Sequence, residues 1–176
     1  MDISKAIQEV AKPTANAAPA NFSADDLKTL RMAPMLVGMY VAMSSPSGLI
    51  GMAKEAGATT TTLMEAGKVA SVGSLISTLF AAGPQQGDQE SMMNALKSAK
   101  NPDEMKANLL STFKGAISIL QKNGGDAASY SNLLMAIATK VAEAAKEGGF
   151  LGVGGTLVSD DEKKALSEIA SALGAH

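Results

Sequence analysis

Residues 145–166 read AKEGGFLGVGGTLVSDDEKKAL, with Gly148, Gly149, Gly152, Gly154 and Gly155 crowded ahead of an acidic segment of helical spacing. A glycine-rich loop feeding a helix is one way to cradle a phosphate, because the free N–H groups and the dipole of a helix N-terminus attract anions. A phosphate loop of the P-loop kind needs Lys and Ser/Thr directly after its last glycine. Here Gly155 is followed by Thr156 and Leu157, and no strand pattern precedes the loop. The dinucleotide-binding pattern fails as well, since its third glycine would fall on Leu157. Asp160, Asp161 and Glu162 fill the first turn of the following helix, complementing the dipole and repelling a phosphate. The loop therefore reads as a helix stop at Gly148 and Gly149, a hydrophobic tuck at Phe150 and a capped restart at Ser159.

The same acids supply oxygen chemistry. Glu147, Asp160, Asp161 and Glu162 are the candidate ligands for calcium or magnesium, although the alternating acids of an EF-hand are missing. A second group is a methionine stripe. Met32, Met35, Met39 and Met43 recur at helical spacing, and Met52 and Met64 follow. Thioethers bind copper(I), but His or Cys usually complete such sites. Met at this spacing also fills irregular core gaps or forms an adaptable surface for a partner. These four methionines are the expected interface residues.

Composition removes other chemistry. The chain has 176 residues, no Cys, and one His at position 176. Disulfides, thiolate zinc sites and cysteine nucleophiles are excluded, and a histidine base would rest on the last residue. No G-x-S-x-G elbow occurs. No catalytic residue and no cofactor are expected. A net charge of −2 without a charge block, and aromatics at 3%, give no electrostatic or stacking platform for nucleic acid. The N-terminus lacks the basic start and apolar core of a signal peptide, so a cytoplasmic location is expected. No charge lies between Arg31 and Lys54, yet SSPSG at 44–48 breaks that gap. Breaking it would leave backbone groups unsatisfied in lipid, so membrane insertion of residues 32–82 is the lesser alternative.

The elements that must position these residues are helical. Ile3, Ala6, Ile7 and Val10 predict a short helix over 2–11, ended by Pro13. Residues 1–22 read as a mobile arm and 23–176 as one bundle domain. Ser23 with Asp26 caps a helix that carries Pro34, where a kink is expected near 30–34. Pro46 opens a short helix to about Ala56, and Thr62 with Glu65 caps one running from Leu63 to about Ala82, apolar all round. A weaker helix is predicted over 88–99. Asn101, Asp126 and Ser159 cap three more, whose apolar faces centre on Phe113, Ile137 and Ile169. Strand alternation is nearly absent. The expected fold is all-α, a single helical bundle of about six or seven helices with short turns.

Residues 142–174, AEAAKEGGFLGVGGTLVSDDEKKALSEIASALG, resemble the C-terminal block of a family of small uncharacterised bacterial helical proteins. Residues 33–55, APMLVGMYVAMSSPSGLIGMAKE, resemble that family's N-terminal block, with a helix leading into a PSG turn. The likeness spans roughly 25–174 and implies a helical fold and no particular site. The last helices are also faintly similar to those of TerB-type tellurite-resistance domains, which carry acidic metal-binding positions before such a helix. This chain has Gly148 where those domains usually have an aspartate–glycine pair, and its loop is longer. The expected function is a non-enzymatic binding or assembly protein acting through its Met-rich apolar surface, with a protein partner or self-association as a homo-oligomer. A divalent-metal-responsive domain is the alternative from another class.

Overall fold

The computed structural model describes residues 21–44, 75–80, 87–146 and 158–174. Every regular element among them is an α-helix. Four are long: α1 (Ala24–Ser44), α4 (Pro102–Lys122), α5 (Ala127–Lys146) and α6 (Asp160–Leu173). Two shorter helices, α2 (Leu75–Phe80) and α3 (Asp88–Lys97), lie against α1. The expected helices over 2–11 and 46–56, the start of that at 63, and the glycine loop with Phe150 lie outside the described residues.

Local capping sets the boundaries. At α1, the Asp26 N–H donates to Ser23 Oγ at 3.1 Å and the Ser23 N–H donates back to Asp26 Oδ2 at 3.0 Å. At α4, Asn101 Oδ1 accepts from the Glu104 N–H at 2.8 Å, with Pro102 in the first turn. Glu104 reaches one residue further back than a standard box, accepting from the Lys100 N–H at 2.9 Å. The turn from α4 to α5 needs a left-handed residue, and Gly124 takes it at φ +71°. Gly125 then lies so close to Leu120 that a Cβ would sit 2.6 Å from its Cδ2. Asp126 caps α5 through the Ser129 N–H at 2.9 Å. Ser159 and Glu162 form the reciprocal box at α6, which ends on left-handed Gly174.

The helix α1 is the hub. It packs against α4, α5 and α6, which also contact one another pairwise. Their meeting faces bury Leu30, Leu36, Tyr40, Phe113, Leu120, Tyr130, Leu133, Leu134, Ile137 and Ile169 almost completely. The predicted faces of α4, α5 and α6 supply most of this core, because residues three and four apart share one side of a helix. Phe22, placed in the arm by the sequence reading, is buried in the same cluster, so the packed body reaches back at least to it.

Candidate functional site

The methionine stripe sits on the hub helix. From Ala33 to Ala42 every residue of α1 is buried except Met35 and Met39, which are half-buried. Met32 and Met43 are half-buried too. The four are spaced i, i+3, i+7 and i+11, so they form one line along the helix. Met32, Met39 and Met43 also touch the buried cluster. The stripe is thus both the edge of the core and the part of the hub between Ala33 and Met43 that reaches solvent. All four are partly covered and partly free, an arrangement that suits an unbranched, polarizable side chain.

Behind the stripe, Pro34 creates a polar problem. A proline in a helix has no N–H to give to the carbonyl four residues earlier. That carbonyl belongs to Leu30, which is fully buried. The Tyr130 hydroxyl, arriving from α5, donates to it. Helix α1 accordingly continues unbroken through residue 34.

Further along the helix, the Tyr40 hydroxyl donates to Glu168 Oε2 on α6 at 2.7 Å. The Tyr40 ring meets Phe113 edge-on, centroids 6.1 Å apart at 71°. Lys106 Nζ lies 5.7 Å from its centre, within cation–π range. Burial pushes the pKa of both tyrosines above the usual range, and for Tyr40 the hydrogen bond to Glu168 and that residue's charge add to it. The consequence has a definite sign. An unfolded tyrosine loses its proton near the ordinary value of 10.0, whereas the folded ones hold theirs. The unfolded state then binds fewer protons, so the tyrosines' contribution to stability is fully present below about pH 10 and is lost as pH rises above it. Because Tyr40 and Tyr130 are the chain's two tyrosines, phenolate absorbance should rise only together with loss of the helical circular-dichroism signal. Phenolate forming near the ordinary value with helicity intact would contradict the burial of both.

A third tie joins α3 to the hub. Arg31 Nε and Nη2 donate to Asp88 Oδ2 and Oδ1 at 3.1 and 3.2 Å, a bidentate pair with little exposure.

The acidic candidates are differently employed. Glu162 is buried, and its Oε2 accepts from the Ser159 N–H at 2.7 Å and the Ser159 hydroxyl at 2.9 Å. Asp160 is exposed and pairs with Lys163 at 2.9 Å, which holds its pKa below the usual carboxylate range. Asp161 is exposed, and Glu147 lies outside the described residues. Among the described residues no group of three or more His, Cys, Asp or Glu side chains converges on a point that would hold a metal ion. Capping and dipole complementarity account for Glu162 and Asp160. Likewise, no helix among the described residues is long and apolar enough to cross a membrane.

No protein-family model, curated protein or solved structure matches the chain.

Three of the features that organise this region are invisible to local pattern. Tyr130–Leu30, Tyr40–Glu168 and Arg31–Asp88 join residues 100, 128 and 57 positions apart. One signal was present for the first. A proline inside an apolar helix implies a buried carbonyl needing a donor, and the chain offers two tyrosines.

Proposed function

We infer that this chain is a non-enzymatic binding or assembly protein, built as a single bundle of about six or seven helices. Its working surface is the stripe Met32, Met35, Met39 and Met43. The observation that carries this reading is the interruption of burial on the hub helix. Between Ala33 and Ala42 only two positions reach solvent, and methionine occupies both. A polar residue at either would cost the fold little. An apolar, conformationally adaptable one at both is what a partner-binding stripe needs, since Met is enriched at interfaces and re-packs against varied shapes. On α3, which packs on the same hub, Met93 is 46% exposed and adds a large apolar side chain to the surface.

The occupant is a second copy of this chain or an apolar helix of a partner protein, with no nucleic acid or cofactor involved. Size-exclusion chromatography with light scattering tests the self-association form. The wild type should run as an oligomer, and Met35→Glu and Met39→Glu should shift it toward monomer with helical content retained. A wild type that is monomeric at all accessible concentrations ends that form.

A further inference from the structure

A shallow groove of about 260 Å³ runs between α4 and α6. Leu110 and Ala172 line it with apolar surface, Ser167 and Ser171 with hydroxyls, and Lys114 and Glu168 with opposite charges. Two facts about those charges stand out. First, Lys114 and Glu168 share the groove yet form no ion pair with each other or with any other described residue. Second, Glu168 is not a free surface acid. Its Oε2 is held at 2.7 Å by the hydroxyl of Tyr40, a residue only 1% exposed whose ring meets Phe113 edge-on. One carboxylate oxygen is thus anchored to the core and the side chain is held at the groove, while Lys114 is exposed. Preorganising one charge in this way lowers the entropy cost of binding to it.

We propose that this groove binds a small zwitterion of the ω-amino-acid class, its ammonium on Glu168, its carboxylate on Lys114 and its methylene chain along Leu110 and Ala172. The volume limits the ligand. Pockets for drug-sized ligands span roughly 300–1,000 Å³, so this smaller space suits a compact one. Two opposite charges with no ion pair among the described residues favour a ligand charged at both ends, and the apolar part of the lining favours methylenes over a polar linker. The site is separate from the methionine stripe and does not depend on the role given to it.

Amide chemical-shift titration of the full chain tests this, using glycine, β-alanine, γ-aminobutyrate and δ-aminovalerate as a ruler of charge separation. Butyrate and butylamine serve as single-charge controls. One member of the series should give saturable shifts centred on Leu110, Ser167 and Ala172, with a dissociation constant on the order of millimolar for so few atoms. Neither control should saturate. Lys114→Met removes the cation at an exposed position, and Glu168→Gln keeps an acceptor for Tyr40 while removing the charge; each should weaken binding about tenfold or more. Three outcomes overturn the proposal: no saturable shift with any zwitterion, equal binding of a control, or unchanged affinity in both variants.

Discussion

Tyr130→Phe should destabilise the fold by about 1–3 kcal/mol, far more than the loss of one hydroxyl at a surface would. The hydroxyl is the donor to the Leu30 carbonyl, and Leu30 is fully buried. Pro34 is the residue whose missing N–H leaves that carbonyl open within the helix. Removing the tyrosine oxygen strands a buried acceptor, and stranding one partner costs its full desolvation. The mechanism makes a sharper demand on a double-mutant cycle. In a Pro34→Ala background residue 34 regains an N–H directed at the same carbonyl, so Tyr130→Phe should then cost less. A coupling of about 1 kcal/mol between the two sites is expected from chemical denaturation. Strict additivity would mean that the tyrosine and the proline solve unrelated problems.

The second large effect is at Phe113. Its side chain is fully buried and its ring stands edge-on to Tyr40. Phe113→Ala should cost about 3–5 kcal/mol through lost burial and the cavity left behind. Domains of this size are typically stable by only about 5–15 kcal/mol, so the variant should unfold at a much lower denaturant concentration. Phe113→Leu keeps most of the volume and should cost distinctly less, roughly 1.5 kcal/mol or below. The alanine variant should also loosen Tyr40, which loses its ring contact. If it costs under about 1 kcal/mol, the site collapses freely and this is not the tightly packed centre described.

What was legible in the sequence follows from range. Caps depend on residues three apart, so Ser23–Asp26, Asn101–Glu104 and Ser159–Glu162 could be read directly, and each makes its hydrogen bond. Buried faces repeat every three or four residues, so spacing alone places Phe113, Ile137 and Ile169 in the core, where all three are fully buried. Range also explains the failures. The stop of α1's inner contacts at a methionine stripe depends on which neighbours surround the hub, and period cannot say that. Phe22 looked like part of a loose arm because its Ala-, Asn- and Pro-rich surroundings carry no pattern, yet the turn at Gly125 brings α4's end close to it. The polar ties of Tyr40, Tyr130 and Arg31 cross the fold, and their partners are common residue types that nothing local singles out. The groove at Lys114 and Glu168 arises only when α4 and α6 are laid side by side.

The methionine stripe is the centre of the functional reading, and its own methyl groups report on it most directly. With methyl-labelled methionine, the ε-methyl resonances of Met32, Met35, Met39 and Met43 can be followed as the full chain is diluted. Those of Met105 and Met135, on α4 and α5, serve as internal references. Self-association through the stripe predicts that the four shift together with concentration, Met35 and Met39 most, while the references stay still. Four stripe methyls that hold constant positions across the whole concentration range would contradict it.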